Sequence, residues 1–241
     1  MFPSSSPLWL LGWYHLAFFG LYIPLAALRG RRKLLAASCA APPNRLRHMQ
    51  TTAFMLVLLT GLSLYIAPRQ GIELFPRAVP PLPALVAGVA FYAAAVAYMR
   101  PRWRRAVEKR ARVVHLFMPA NATERAWWIA VSVLAGVGEE ITWRGVQAAL
   151  LITLIGSFWI AALISAASFG GAHALQGWKS VGIIVLMALG FHALVWLSGS
   201  LYVAMAVHLA YDITAGLNYG RLGRELGYSL EPAPVPQAAP R

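Results

Sequence analysis

AWWIAVSVLAGVGEEITWRGVQAAL, residues 126–150, is a run of small and apolar residues that contains two adjacent acids and one arginine. Its length fits a helix that crosses a hydrocarbon core of about 30 Å. Glu139 and Glu140 lie inside it, where a charged side chain costs on the order of 3 kcal/mol or more. Ionisable residues at such a position are candidates for a functional site and need a partner.

The whole chain has the composition of an integral membrane protein. Its 241 residues are 59% hydrophobic and 12% charged, and a soluble domain carries about twice that charged fraction. We predict an all-α, polytopic transmembrane helix bundle of about seven helices, with eight as the alternative. Residues 1–228 form one domain in this prediction, and the Pro- and Ala-rich tail, 229–241, is disordered. The apolar blocks are about 8–28, 52–67, 84–99, 126–150, 155–172, 181–198 and 201–217.

The formal net charge of +13 indicates membrane topology rather than a nucleic-acid partner. The cations form two short segments beside apolar blocks, as the positive-inside bias produces. We therefore expect contact with membrane lipids, a bacterial inner (cell) membrane location and cytoplasmic basic loops. Residues 102–115 are expected to lie on the membrane surface as an amphipathic helix. The segments hold Arg29, Arg31, Arg32, Lys33, Arg45 and Arg47, and then Arg100, Arg102, Arg104, Arg105, Lys109, Arg110 and Arg112.

Charged residues inside the later blocks are spaced as helical pairs. Glu140 and Arg144 are four residues apart and meet on one helix face. This pairing leaves Glu139, about 100° round the helix, without a local cation, so Glu139 is the candidate general base. His208 and Asp212 share the same spacing. Taken alone, Glu140 and Arg144 could instead be a structural ion pair. His208 and Asp212 could instead be a hydrogen-bonded pair that only supports helix packing.

Two further histidines lie in the later blocks. His173 follows Phe169 by four residues on a segment with adjacent glycines, where helix backbones approach closely. The alternative interpretation is that His173 faces lipid headgroups. His192 has no partner at helical spacing except Trp196, which favours a structural or lining role. Because three separate segments carry costly polar groups, one joint site is the favoured interpretation.

Three short motifs follow one another along the chain. Residues 139–144 read E-E-x-x-x-R, residues 169–173 read F-x-x-x-H, and residues 208–212 read H-x-x-x-D. This ordered triplet resembles the motifs of the CPBP family. That family comprises the CAAX prenyl endopeptidases of the Rce1 type and the bacterial Abi or bacteriocin-processing proteins. The resemblance covers about residues 126–218, and the earlier blocks match only in being hydrophobic.

The resemblance implies an intramembrane endopeptidase that acts on a membrane-anchored protein or peptide. A prenylated C-terminus, a leader peptide and a sorting tail all stay open as substrates. By analogy, Glu139 activates the attacking water with the help of His173, while Glu140 and Arg144 hold their helix in place. The alternatives are a non-catalytic immunity or scaffold protein of the same fold and a proton or ion transporter. The chain shows none of the internal repeats common in transporters.

The resemblance also implies that His208 and Asp212 stabilise the oxyanion or orient the substrate carbonyl. Eukaryotic relatives usually carry Asn at the last position, whereas an ionised Asp donates no hydrogen bond. Asp212 therefore has a second possible role, which is to orient His208 as a carboxylate orients a catalytic imidazole.

The metal dependence of this site stays open in the sequence. A divalent metal such as zinc would have Glu139, His173 and His208 as ligands, with an open position for water. The single cysteine, Cys39, excludes a cysteine-rich metal site, and the chain lacks H-E-x-x-H. We therefore favour a scheme that requires no cofactor.

If all helices are upright, the motif residues lie at different depths in the bilayer and cannot form one site. A count of about 1.5 Å per residue from the basic side puts Glu139 roughly two-thirds across the bilayer. The same count puts His173 near the basic side and His208 toward the other side. A converged site then requires tilted helices, a helix break or a different helix count.

Overall fold

The computed structural model describes residues 9–36 and 44–229, which are mostly helical and contain no strand. Two π-helical segments, Phe18–Tyr22 and Glu140–Gln147, join neighbouring α-helices without a break, so the described chain forms seven helices. The predicted all-α bundle is confirmed. Cys39 and all but the first residue of the predicted tail lie outside the described residues. The α-helices are α1 Leu10–Ala17, α2 Ile23–Ala36, α3 Arg45–Arg69, α4 Leu82–Glu108, α5 Ala122–Glu139, α6 Ala148–Ile155, α7 Phe158–Ala172, α8 Trp178–Ser198 and α9 Tyr202–Glu225.

Every predicted apolar block coincides with one of these helices, and the chain is an integral membrane protein. Large apolar side chains such as Val89 and Leu186 are exposed on the outside of the bundle, which suits contact with lipid tails. Four helical stretches are long and apolar enough to cross a membrane by length and composition: Leu10–Lys33, Arg45–Arg69, Leu82–Glu108 and Trp178–Ser198.

The predicted surface helix over residues 102–115 is wrong. α4 continues without interruption to Glu108. Trp103 and Val107 point into the protein and are 1% exposed. The Trp103 ring packs against Tyr211 and Tyr219 of α9, with ring centroids 5.9 and 6.1 Å apart. The apolar residues among the cations therefore form an inward-facing stripe of α4, one turn apart.

A glycine allows α5 to pack directly on α9. A Cβ atom at Gly136 would lie 2.6 Å from the backbone nitrogen of Leu209 and 2.7 Å from its Cα. Trp128, two turns earlier on α5, donates from Nε1 to the carbonyl of Asp212 at 2.9 Å. These contacts place the end of α5, where Glu139 is followed by Glu140 of the π-helical segment, beside the histidine of α9.

The π-helical segment Glu140–Gln147 is buried along its whole length. Its wider turns change the direction of side chains relative to an α-helix, and such segments occur often at functional sites. Ser165 of α7 donates to the carbonyl of Trp143 at 2.8 Å. Ser168, three residues later, donates to the carbonyl of Phe19 in the other π-helical segment at 2.9 Å. α7 thus hydrogen-bonds to both irregular segments.

Candidate active site

A cavity of about 360 Å³ lies among α3, α4, α5, α7, α8 and α9. Four of the six predicted site residues line it: Glu139, His173, His208 and Asp212. The side chains of Glu139 and Asp212 are 15% and 28% exposed, whereas those of Glu140 and Arg144 are 0% exposed. The two adjacent glutamates therefore occupy different environments. The cavity walls are otherwise mainly apolar and include Leu56, Met99, Trp128, Val131, Phe169, Ile184, Met187 and Phe191.

The short length of α7 explains how Glu139 and His173 can lie at the same depth in the bilayer. Sixteen residues separate Glu139 from Ile155 at the end of α6, which corresponds to about 24 Å of helix. α7 then runs back beside this helix for 15 residues, or about 22 Å. It ends at His173, which is thus at the level of Glu139. A full-length crossing would have carried His173 farther toward the basic side.

Glu140 contacts two basic side chains at once. Its Oε1 lies 3.2 Å from Nη1 of Arg144, so the ion pair expected from their spacing is present. The same oxygen lies 2.8 Å from Nδ1 of His208. Because a carboxylate only accepts hydrogen bonds, Nδ1 of His208 is the donor. The contact with His208 joins α9 to the π-helical segment Glu140–Gln147, which is called the glutamate segment below. Spacing along one helix could not reveal this contact.

Arg144 is held by aromatic rings as well as by its acidic partner. Its guanidinium carbon lies 4.3 Å from the ring centroid of Phe169 and 5.2 Å from that of Phe191. Such cation–π contacts stabilise a desolvated cation. The contact with Glu140 is an ion pair that lacks hydrogen-bond alignment. Phe169, the first residue of the F-x-x-x-H motif, therefore packs on the arginine of the first motif.

The Nε2 edge of His208 faces two carboxylates of the cavity. It lies 3.7 Å from Oε2 of Glu139 and 3.6 Å from Oδ2 of Asp212. Both distances exceed those of a good hydrogen bond. The carboxylate that is hydrogen-bonded to His208 is therefore Glu140, whereas Asp212 lies just beyond hydrogen-bond distance of it.

His173 presents one nitrogen to the cavity. Its Nδ1 lies 2.8 Å from the carbonyl oxygen of Phe169. A carbonyl only accepts, so Nδ1 carries the proton, and the neutral ring keeps a lone pair on Nε2. Packing of the ring on Phe169, with centroids 4.6 Å apart, also restricts its rotation. A neutral His173 ring with its proton on Nδ1 is able to accept a hydrogen bond from water at Nε2.

The proposed metal ligands do not form a metal-binding cluster in this arrangement. Among residues 9–36 and 44–229, no three His, Cys, Asp or Glu side chains are placed to hold one ion. Glu139, His173 and His208 line the same cavity, and the bond from Nδ1 of His208 to Glu140 leaves Nε2 of His208 available. No step below depends on a metal.

A buried polar chain behind the glutamates escaped the sequence reasoning. Nε2 of His15 lies 3.1 Å from Oγ of Ser63, which lies 3.0 Å from Oγ1 of Thr142. All three residues are buried, and they connect α1, α3 and the π-helical segment. In the sequence, the one sign of this polar chain was His15, a histidine inside the first apolar block. His192 is buried and lies outside the cavity lining, which leaves its structural role.

These features define an integral membrane protein with a centre of carboxylates and histidines enclosed among apolar helices. Residues 121–214 match the family model described as type II CAAX prenyl endopeptidase Rce1-like. This segment is similar to that family and contains all three motifs. The match agrees with the predicted resemblance and supports a membrane endopeptidase in general. Comparisons with curated proteins and with solved structures gave no match.

Proposed function

We propose that the protein is a glutamate-dependent intramembrane endopeptidase that uses a water activated by Glu139 and His173. The observation that carries the proposal is the division of the glutamate pair. Glu139 lines the cavity together with His173, His208 and Asp212. Glu140 is closed off from the cavity and bonded to two basic side chains. The Glu139 carboxylate is thus available to react, whereas the Glu140 carboxylate is held by contacts inside the protein.

Peptide hydrolysis follows from these positions. The Glu139 carboxylate takes a proton from a water molecule, and Nε2 of His173 accepts the second hydrogen bond of that water. The water oxygen bonds to the carbonyl carbon, and the carbonyl π electrons move to oxygen as a tetrahedral intermediate forms. Its collapse breaks the C–N bond. Glu139 returns the proton to the leaving nitrogen, which gives an amine and a carboxylic acid.

Glu140, Arg144 and His208 act in this scheme by holding the reactive groups in place. Glu140 fixes His208 through Nδ1, which directs Nε2 toward Glu139 and Asp212. Arg144 balances the buried charge of Glu140 and is itself held between two rings. Misplacement of a catalytic group by about 1 Å can cost on the order of 10²-fold in rate.

The substrate in this proposal is a membrane-associated protein that enters from the basic end of the bundle. The cavity lining extends from Glu139 to His48 in the first turn of α3 and Ser180 in the first turn of α8. Its mainly apolar walls suit a lipid-attached or hydrophobic segment. We place the basic ends in the cytoplasm of a bacterial cell, because short basic loops stay on that side.

The test uses the purified protein in lipid vesicles with a library of membrane-anchored peptides. Mass spectrometry identifies new peptide termini for wild type, Glu139→Gln and Glu225→Gln. Glu225 is half-exposed at the end of α9 and provides the same substitution outside the site. We expect cleavage by wild type and Glu225→Gln and none by Glu139→Gln. Equal cleavage by all three proteins would reject the proposal. Chelator treatment of wild type tests the metal-free scheme, and loss of activity restored by zinc would reject it.

A further inference from the structure

The proposed hydrolysis requires a hydrogen-bond donor for the oxygen that becomes negative. Removing one such donor typically costs about 10² to 10³ in kcat. An ionised Asp212 only accepts hydrogen bonds, so it adds negative charge where a donor is needed. His208 is the other group that the resemblance places at the substrate carbonyl, and its Nε2 edge faces two carboxylates.

Tyr211 lies beside these groups and lines the same cavity. It is three residues from His208 on α9, and residues at that spacing have Cβ atoms about 5–6 Å apart on one helix face. Its ring packs on Trp103 of α4, which is 1% exposed. The Tyr211 hydroxyl is therefore carried on a side chain that is held firmly from behind.

The Tyr211 hydroxyl is able to act as a hydrogen-bond donor, because a phenolic O–H donates as well as accepts. Both serine hydroxyls of the lining are already used: Ser132 donates to the carbonyl of Trp128, and Ser180 to the carbonyl of Gln176. The other lining hydroxyls belong to Thr52 on α3 and to Tyr219, about two turns beyond Tyr211 on α9.

We propose that the Tyr211 hydroxyl donates a hydrogen bond to the oxyanion of the tetrahedral intermediate. It supplies the donor that an ionised Asp212 cannot provide. This assignment rests on the proposed peptidase function and adds a catalytic residue outside the three motifs.

The experiment compares Tyr211→Phe with Tyr92→Phe in the vesicle assay. Tyr92 belongs to the same α4–α9 interface, and its hydroxyl is 2.8 Å from that of Thr214, but it does not line the cavity. We expect kcat to fall about 10²-fold in Tyr211→Phe with KM within about threefold. Tyr92→Phe should keep the wild-type kcat. A Tyr211→Phe kcat within about threefold of wild type would overturn the assignment.

A peptide phosphonate separates direct contact with the oxyanion from a structural effect. Its anionic tetrahedral group mimics the intermediate, so Tyr211→Phe should weaken its binding by about the factor lost in kcat/KM. Unchanged phosphonate affinity in a variant with reduced kcat would overturn the proposal. Glu139→Gln is measured beside it. Absence of Glu139-dependent cleavage in wild type rejects the peptidase function itself, whereas normal cleavage by Tyr211→Phe rejects only the tyrosine.

Discussion

Glu140 and His208 are hydrogen-bonded across the interface between the glutamate segment and α9, with Oε1 and Nδ1 2.8 Å apart. This bond connects the first motif to the third. In the proposed mechanism the two adjacent glutamates have separate tasks, because the carboxylate that is bonded to the histidine does not line the cavity. Glu140 then fixes the geometry in which Glu139 acts.

Arg144→Ala should lower stability more than any surface charge substitution. It leaves the fully buried Glu140 with His208 as its remaining basic contact. Breaking a buried ion pair costs about 3–5 kcal/mol, and thermal unfolding in detergent should show a corresponding loss. Arg221→Ala is the control, since its pairing with Glu225 is half-exposed and worth about 0–1 kcal/mol. Similar unfolding temperatures for the two variants would contradict the account of Arg144.

Gly136→Ala should force α5 and α9 apart. The added Cβ would meet the Leu209 backbone at 2.6 Å, and overpacking of this kind costs about 1–3 kcal/mol. Gly61→Ala is a matched control on α3, because nothing lies within 4 Å of its added Cβ. Unfolding of both variants, followed by circular dichroism, should separate them. If Gly136→Ala is as stable as Gly61→Ala, the helices do not approach as closely as described.

Ser63→Ala should disturb the buried chain behind the glutamates. The change removes the partner of both His15 and Thr142, and a buried polar group left unpaired costs about 1–3 kcal/mol. Thr51→Ala on the same helix removes an exposed hydroxyl bonded to its own helix backbone. That change should stay within about 0.5 kcal/mol. Chemical denaturation of the two variants measures the difference, and equal midpoints would refute a supporting role for Ser63.

Asp212→Asn should keep or increase peptidase activity, because an amide can donate to the oxyanion and an ionised carboxylate cannot. The same substitution should reduce the dependence of kcat on Tyr211. The measurement is the kcat ratio of the Asp212→Asn protein with and without Tyr211→Phe. Loss of all activity in Asp212→Asn would show that the negative charge itself is required, and would contradict this view of the site.

The helices and the motif residues could be predicted because both depend on local sequence. Apolar blocks located every helix, and spacing identified the pairing of Glu140 with Arg144. The bond from Glu140 to His208 could not be predicted, since it depends on how α9 packs on the glutamate segment. The predicted block 155–172 already ended beside His173, but the depth of His173 could not be predicted, since it depends on how α7 packs against the helix that carries Glu139.

The error at residues 102–115 has the same origin. Many cations around Trp103 suggested a surface helix, but long basic side chains can reach outward while one stripe stays buried. The pairing of Trp103 with Tyr211 across two helices made that stripe part of the interior. The polar chain that begins at His15 also joins distant segments, so only its isolated histidine was visible in the sequence.

The most direct test of the central claim is the single-turnover cleavage rate of Glu139→Gln beside wild type, with the fold of each checked by thermal unfolding. A general base typically contributes about 10² to 10⁴ in rate. We expect Glu139→Gln to unfold at the wild-type temperature and to cleave at least about 10²-fold more slowly. A folded Glu139→Gln protein that cleaves at the wild-type rate would contradict the assignment of Glu139 as the base.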